Sequence, residues 1–336
     1  MDIEDLWYEK NIVSILLLPI AWLFAAVVRL RRTYYRFWNR RHTPLPVPVI
    51  VVGNITVGGT GKTPLVIWLA RFLKKQGFTP GIVSRGYGGR SESWPQFVTA
   101  RSDPAMVGDE PVLIASHCAC PVAVAPRRVK AARSLLSRYP CDVLISDDGL
   151  QHYALSRDIE IAVLDGERRV GNGYCLPAGP LREPPARLRE VDFVIVNGKA
   201  SPGHRQTDNE YAMEISIHRA VNLMHPGLVR DLEDFRGESV HAIAGIGNPE
   251  RYFNMLRDRG LNIVAHAFAD HYRYTPADLQ FAGEESVLMT EKDAVKCKGF
   301  ARANYWYLPV TARPDQDFAD QLIVRLKRRI GSEDLW

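Results

Sequence analysis

No acidic residue occurs between Glu9 and Glu92, a long stretch of the 336-residue chain. Residues 1–91 hold 13 Lys and Arg against 4 Asp and Glu, a net charge of +9. The remaining residues have a net charge of −4, so the whole chain has a net charge of +5. Such a basic block attracts anionic lipid, nucleic acid or a phosphorylated substrate through its long-range potential. The alternative is an ordinary solvated surface.

Cysteine is scarce, and the chain lacks any Cys-x-x-Cys pair. The odd number and irregular spacing of the five cysteines argue against both a disulfide framework and a zinc site. We expect reduced, mostly buried thiols at Cys118, Cys120, Cys141, Cys175 and Cys297.

Fixed-period repeats and low-complexity tracts are also absent, which excludes collagen-like and solenoid architectures. With 46% hydrophobic residues the chain can bury substantial cores, and its length favours about two domains.

Charge is missing from Ile12–Val28, and a dense arginine cluster interleaved with aromatic residues follows. The cluster contains Arg29, Arg31, Arg32, Arg36, Arg40 and Arg41, and the aromatic residues are Tyr34, Tyr35, Phe37 and Trp38. A helix over the uncharged run would be about 25 Å long, short of a hydrocarbon core of about 30 Å, and Pro19 interrupts it. The acidic residues at the N-terminus argue against a signal peptide.

These features favour a monotopic or shallowly inserted helix over residues 1–42, with an anionic membrane surface as its partner. A single true span and an ordinary buried core helix are the alternatives. If a membrane holds this helix, the arginines on its C-terminal side keep the rest of the chain cytosolic.

Short apolar runs that alternate with helical patterns follow the proline-rich hinge Thr43–Pro48. This alternation predicts an α/β fold of the P-loop NTPase type, a mainly parallel sheet with helices on both faces. A second, smaller α/β domain follows a polar stretch near residue 200. The predicted domains are 43–205 for the core, 206–235 for linker strands and 236–336 for the C-terminal unit.

A glycine-rich loop between a predicted strand and a predicted helix is the strongest local signal. It reads Asn-Ile-Thr-Val-Gly-Gly-Thr-Gly-Lys-Thr from Asn54 to Thr63. In a P-loop, backbone N–H groups surround the phosphates, the lysine neutralises their oxygens and the hydroxyl binds Mg²⁺. Thr56 occupies the place of the first glycine of the strict pattern. We predict that nucleotide phosphates bind at Thr56, Val57, Gly58, Gly59, Thr60, Gly61, Lys62 and Thr63.

A second phosphate-chemistry signal is the apolar strand Val143–Ser146, which runs into Asp147, Asp148 and Gly149. A carboxylate at the end of such a strand can reach Mg²⁺ beside the P-loop hydroxyl. Taken alone, the pair is more often a turn or a helix cap. With the P-loop in the same predicted sheet, the metal role is favoured for Asp147 or Asp148.

Two polar loops offer charged groups to an anionic substrate, although either is also compatible with an ordinary surface loop. Ser84–Arg90 presents Arg85 and Arg90, and Asn172–Glu183 presents Arg182 and Glu183. Transfer of a phosphoryl group to an alcohol also needs a side chain that orients or deprotonates the hydroxyl. Spacing alone does not select it from 38 carboxylates and 9 histidines.

The assembled motifs resemble the tetraacyldisaccharide 4′-kinase family of lipid A biosynthesis. They occur in consistent order from about residue 12 to residue 298 and read GNITVGGTGKTP, SRGYGG, GDEP, SDDGLQH, PAGPLRE, AGIGNPERYF, ADHYRYT and TEKDAVK. The resemblance implies transfer of phosphate from ATP with Mg²⁺ to the 4′-hydroxyl of a tetraacylated glucosamine disaccharide 1-phosphate. It also implies that the protein works at the cytoplasmic face of the bacterial inner membrane. It implies neither a nucleic-acid partner nor an obligate protein partner.

The resemblance further implies roles for individual residues. Asp109 and His271 would form a catalytic dyad that activates the hydroxyl, with Lys62 and Asp148 also catalytic. Thr63, Asp147 and Asp148 would hold the metal. The substrate would contact Arg85, Tyr87, Arg128, His152, Arg182 and Glu183. One departure is Tyr272, where the family often has a second histidine, and this puts any role for that position in doubt.

The distribution of the motifs places Asp109 in the first domain and His271 in the second. Closure of two lobes would then assemble the site and exclude water. The alternative function is a P-loop NTPase switch or a metallochaperone-type NTPase without a lipid acceptor, which leaves the apolar N-terminal segment unexplained.

Overall fold

The computed structural model describes residues 7–42, 44–198 and 208–331, and only the backbone of residues 38–42. The side chains of Trp38, Arg40 and Arg41 in the predicted membrane-associated segment, the start of the hinge at Thr43 and part of the predicted linker therefore lie outside the described residues. Nine α-helices occur in the described part: α1 Ile12–Leu16, α2 Leu18–His42, α3 Lys62–Lys75, α4 Pro104–Val107, α5 Asp109–His117, α6 Arg128–Arg138, α7 Pro249–Asp258, α8 Glu291–Cys297 and α9 Gln316–Gly331.

Fifteen strands in the described residues form two sheets. The strands are β1 Val49–Gly53, β2 Pro80–Ser84, β3 Gln96–Val98, β4 Val122–Val124, β5 Val143–Ser146, β6 Ile159–Asp165, β7 Phe193–Asn197, β8 Glu210–Ser216, β9 Arg219–Asn222, β10 Val229–Asp231, β11 Ser239–Ala244, β12 Asn262–Ala267, β13 Ser286–Thr290, β14 Tyr305–Leu308 and β15 Thr311–Pro314.

The first sheet has nine strands in the order β15-β8-β7-β6-β1-β5-β2-β4-β3. All neighbouring pairs from β8 to β4 are parallel, and only the edge strands β15 and β3 pair antiparallel. The central strand β1 is buried along its whole length, as a parallel strand covered on both faces requires. Because parallel strands end at one edge, the loops after β1, β2, β5, β6 and β7 meet there.

The second sheet has six strands in the order β10-β9-β14-β13-β11-β12. Strands β12, β11, β13 and β14 run parallel, so the loops that follow β11, β12 and β13 also share one edge. That edge contacts the first sheet, because an ion pair joins Arg251 at the start of α7 to Asp165 at the end of β6. The two carboxyl edges therefore face a common cleft.

The N-terminal helices pack on the first sheet through one face only. Phe24 and Ala25 of α2 contact the core on one side of that sheet, and Arg32 pairs with Glu190. The opposite face is apolar and exposed, with Ile12, Val13, Ile15, Leu16, Ile20, Trp22, Leu23, Val27, Leu30, Tyr34 and Phe37 all open to solvent. The break between α1 and α2 falls at Leu17, and Pro19 lies in the first turn of α2, where proline is tolerated. Among the described residues no helix is both long and apolar enough to cross a membrane.

The predicted α/β class with a mainly parallel sheet and a second smaller α/β unit is confirmed. The predicted domain limits stay predictions, but strand pairing divides the residues of the predicted linker: β8 joins the first sheet, whereas β9 and β10 join the second. After the second sheet the chain returns to the first sheet. Strand β15 pairs with β8, and the α9 residues Phe318, Leu322 and Leu326 pack in the core of the first sheet. The last helix therefore packs on the first sheet. Its position near the end of the chain had suggested the second sheet instead.

Candidate active site

The glycine-rich loop adopts the backbone that its glycines allow. Gly58 and Gly61 have φ values of +102° and +93°, a region that side chains disfavour, and Gly61 leads directly into α3 at Lys62. Beneath the loop, Asn197 Nδ2 donates a hydrogen bond of 3.2 Å to the Thr60 carbonyl. A Cβ atom at Gly61 would lie 2.7 Å from that same nitrogen, so only glycine fits. Backbone N–H groups at the start of α3 are thereby presented to an anion.

The loop Asn172–Glu183, here called the Pro/Gly loop, runs beside the P-loop and braces it. Val57 N donates to Pro180 O at 2.8 Å, and Arg182 N donates to Ile55 O at 2.7 Å. Thr56, at the place of the usual first glycine, forms a β-bridge with Leu181. The departure from the strict P-loop pattern therefore has a structural reason, since this position is extended and paired. The same pairing brings Arg182 beside the P-loop.

Three cations converge on Asp148. Lys62 Nζ lies 3.4 Å from Asp148 Oδ1, and Arg182 Nη1 lies 3.4 Å from Oδ2. Arg128 Nη2 donates to the Asp147 and Asp148 carbonyls at 3.1 and 2.7 Å. Burial would raise the pKa of Asp148, but the positive charges of Lys62, Arg182 and Arg128 lower it overall. Asp148 also has a φ of +45°, a strained backbone of the kind that concentrates at functional sites.

Asp147 is buried at the end of β5 and has an unused oxygen. Ser84 Oγ donates to its Oδ2 at 3.2 Å, while its Oδ1 has no hydrogen-bond partner among the described residues. Burial, followed by the negative charges of Glu110 and Asp148, raises the pKa of Asp147. A buried carboxylate oxygen without a partner needs a cation or a proton.

The oxygen atoms here fit Mg²⁺. Thr63 is buried at the start of α3, and carboxylate and hydroxyl oxygens are ligands that this cation accepts. No cluster of three or more His, Cys, Asp or Glu side chains suited to a metal occurs within the ranges the structure describes. Mg²⁺ commonly binds one or two protein oxygens and completes its coordination with water and phosphate.

Asp109 and His271 meet across the cleft between the two sheets. Asp109 is the first residue of α5, which belongs to the unit built on the first sheet. His271 lies in the loop after β12 of the second sheet. His271 Nδ1 lies 3.0 Å from Asp109 Oδ2. The hydrogen bond to Asp109 raises the pKa of His271. Burial would raise the pKa of Asp109, but His271 and two lysines, Lys292 and Lys296, lower it overall.

The pair lies next to the P-loop. A Cβ atom built at Gly247 would stand 3.3 Å from the Gly59 amide nitrogen and 3.6 Å from Asp270 Oδ2. The loop after β11 therefore lies against both the P-loop glycines and Asp270, the residue that precedes His271. The ring of Tyr87 lies 5.1 Å from the His271 ring, which adds the loop after β2 to the same site.

The remaining predicted substrate residues differ in exposure. Arg85 is exposed and Arg128 is buried. His152 lies between them in exposure, and burial together with nearby arginines lowers its pKa to about 3, so the ring is neutral. Glu183 is buried, and its carboxylate accepts a 2.8 Å hydrogen bond from Gln151 and pairs with Arg187. These contacts suit Glu183 to hold the Pro/Gly loop in place, and its direct contact with substrate stays a prediction.

Comparison with known proteins agrees with this geometry. A model of the LpxK family, described as tetraacyldisaccharide-1-P 4′-kinase, matches residues 13–327. The chain belongs to this family. It is 50% identical over 322 residues to the tetraacyldisaccharide 4′-kinase of Nitrosococcus oceani, covering 96% of this chain and 93% of that protein. The enzyme of the same name from Methylobacillus flagellatus is 48% identical over 334 residues, covering 98% and 97%.

A solved structure of a family member is also similar. The crystal structure of LpxK from Aquifex aeolicus in complex with ATP has a TM-score of 0.78 and 28% identity, covering 94% of this chain and 99% of that one. The predicted membership of the lipid A 4′-kinase family is thereby confirmed. The roles predicted for individual residues stay predictions.

Sequence reasoning missed several residues that the structure brings to the cleft. They are Glu110, Asp165, Asn197, Gly247, Arg251, Asp270 and Lys292. Most follow the carboxyl end of a parallel strand, and this position could have drawn attention to them. The sequence does not reveal that the two sheets present these edges to each other.

Proposed function

We propose that this chain transfers the γ-phosphate of ATP to the 4′-hydroxyl of a tetraacyl glucosamine disaccharide 1-phosphate, forming lipid IVA. The observation that carries the proposal is the contact between Asp109 and His271, which is made beside the P-loop at the junction of the two sheets. A nucleotide switch needs the P-loop and the aspartate pair but has no use for a second acid–base pair. An alcohol acceptor does need one.

In the proposed reaction the 4′-oxygen attacks the γ-phosphorus while the bond to the bridging oxygen of ADP breaks. Asp109 accepts the hydroxyl proton, and His271 orients the carboxylate through its Nδ1 hydrogen bond. In this proposal Lys62 and Arg182, which both pair with Asp148 beside the P-loop, meet the charge that develops on the phosphoryl oxygens and stabilise the transition state more than the ground state.

Mg²⁺ is the cation that the site would hold, through Thr63 and through Asp147 or Asp148. When bound, it neutralises part of the triphosphate charge. The chain's own contribution is to fix these oxygens. Ser84 orients Asp147 from the neighbouring strand, and Arg128 holds the two backbone carbonyls of the aspartate turn.

We further propose that the exposed apolar face of α1 and α2 enters the interface of an anionic bilayer, at the cytoplasmic face of the bacterial inner membrane. An apolar face this extensive is rare on a water-exposed surface. It includes Trp22, 66% exposed, and Leu23, 67% exposed, and arginines follow at Arg29 and Arg36. This arrangement would keep the cleft near an acceptor whose acyl chains stay in the membrane.

Radiolabelled ATP tests the function directly. The chain is incubated with γ-labelled ATP, Mg²⁺ and a tetraacyl disaccharide 1-phosphate in mixed micelles, and the products are separated by thin-layer chromatography. We expect label on the lipid. Label only in free phosphate, with or without acceptor, would instead identify a nucleotide switch.

Lys62→Ala serves as the matched negative variant for this assay. The variant lacks the Lys62 ammonium that pairs with Asp148 and would neutralise the phosphates. We therefore expect lipid labelling to fall by about a hundredfold or more. Undiminished labelling by Lys62→Ala would exclude this P-loop as the phosphate site.

A further inference from the structure

Lys292 makes an ion pair across the cleft that the chemistry above does not use. It is the second residue of α8, directly after the carboxyl end of β13. Its ammonium contacts Glu110 Oε1 on α5, the residue next to Asp109. The pair thus joins the second sheet to the helix turn that carries the proposed base.

The surroundings of Lys292 are strongly acidic. Burial would lower the pKa of Lys292, but the negative charges of Glu110, Asp109 and Asp270 raise it. Glu110 in turn acts on Asp147, whose pKa it helps to raise. Four carboxylates therefore lie within electrostatic reach of one another where a triphosphate has to bind, and like charges at such a site repel the ligand.

Other cations near the cleft are already engaged. Lys296 pairs with the buried Asp293 at 2.8 Å, although its charge still reaches Asp109. Lys62 and Arg182 both pair with Asp148. Within the described residues, Lys292 is the cation in contact with Glu110.

The register of α8 against α5 is fixed at a second point. Glu291, the neighbour of Lys292, pairs with His117 Nε2 at the far end of α5. Arg71 of α3 lies 3.1 Å from the other ring nitrogen of His117. Adjacent residues of α8 thus hold both ends of α5, and only the Lys292 end adjoins the proposed base.

We infer that Lys292 is a positioning residue for phosphoryl transfer, which holds Glu110 and the first turn of α5 against the second sheet and neutralises the acidic cluster around Asp109. This inference rests on the proposed kinase function. Asp109 is faced by Glu110 on its own helix, by Asp270 and His271 from the loop after β12, and by Lys292 and Lys296 from α8. Removing the Lys292 charge from these groups makes ionisation of Asp109 harder.

The test compares Lys292→Met and Lys292→Arg with the wild-type chain in the lipid-labelling assay across pH. We expect Lys292→Met to lower kcat/KM by roughly 10-fold to 100-fold, because a misplacement of a catalytic group by about 1 Å can cost about 10²-fold in rate. We also expect the acid limb of its pH profile to move to higher pH. Lys292→Arg, which keeps the charge, is expected to restore most of the rate and the wild-type limb.

Lys298→Met is the matched control, because this lysine follows α8 and is exposed. It should leave both the rate and the pH profile unchanged. The inference is overturned if Lys292→Met stays within twofold of wild type, or if Lys292→Met and Lys292→Arg lose rate equally with an unshifted acid limb. The latter result would mean a purely structural lysine.

A double-mutant cycle separates this inference from the proposed function. Urea unfolding of Glu110→Gln, Lys292→Met and the double variant measures coupling between the two residues without any substrate. Coupling is expected even if the wild-type chain labels no lipid, a result that would refute the function alone. Additive losses would refute the contact on which the inference depends.

Discussion

His271 Nδ1 lies 3.0 Å from Asp109 Oδ2, although the two residues are 162 positions apart and belong to units built on different sheets. His271 has a φ of +58°, so its backbone is held in a conformation that costs free energy. A strained histidine that reaches a carboxylate across a cleft indicates that the geometry of the pair matters. The cleft between the sheets is therefore where we place catalysis.

The dyad is expected to act as one unit. Asp109→Ala and His271→Ala should each lower kcat by about 10²–10⁴-fold, the range for loss of acid–base assistance. The double variant should lose little more than the worse single variant, because either change already breaks the pair. Steady-state rates of lipid labelling measure all three. Losses that multiply would show that the two side chains act independently.

Stability of the chain should depend on pH through the same contact. The pKa of His271 is raised, so its contribution is complete below the unfolded value of about 6.5 and is lost as pH rises through the folded pKa. The pKa of Asp109 is lowered, so its contribution is complete above the unfolded value and is lost as pH falls through the folded pKa. The pair therefore stabilises most between about pH 4 and 6.5.

Urea unfolding of wild type and His271→Gln checks this dependence. The difference between them should be about 1 kcal/mol near pH 5.5, discounted for partial exposure of the histidine, and smaller near pH 8.5. A difference that grows with pH would contradict the assignment of a protonated His271 to the contact.

Gly247 should be intolerant of side chains because of its position over the P-loop. In Gly247→Val the new Cβ would lie 3.3 Å from the Gly59 nitrogen, and the γ carbons would crowd the P-loop further. We expect the KM for ATP to rise by roughly tenfold or more, equivalent to about 1.4 kcal/mol. Gly227→Val is the control, since a Cβ there meets nothing within 4 Å. Equal effects of the two variants would exclude a role for Gly247 in nucleotide binding.

The apolar face of the N-terminal helices should carry membrane binding. Leu23→Glu places a charge on a side chain that is 67% exposed, so folding should change little while binding to phosphatidylglycerol vesicles falls by about tenfold or more. Val324→Glu, on the exposed side of α9, adds the same charge elsewhere. Vesicle co-sedimentation measures both variants. Retained sedimentation of Leu23→Glu would place the membrane contact on another surface.

Local patterns predicted β5, a strand of the first sheet that is buried along its length. Val143–Ser146 was predicted with the bounds that β5 has, because a run of apolar residues that ends at a polar turn is unambiguous. The short edge strands β3 and β15 were missed, since they contain few buried residues and their pairing depends on distant partners. Helix α5 was missed as well, and it carries Asp109.

The sequence by itself determined the P-loop, because its glycines, Lys62 and Thr63 are consecutive and their backbone chemistry is local. It also determined the aspartate turn after β5 and the apolar N-terminal face. Only the tertiary structure decided that Asp109 meets His271, that Lys292 pairs with Glu110, and that β15 and α9 return to the first sheet. Those contacts join residues far apart in the chain, and they depend on how the two sheets pack, which no local pattern encodes.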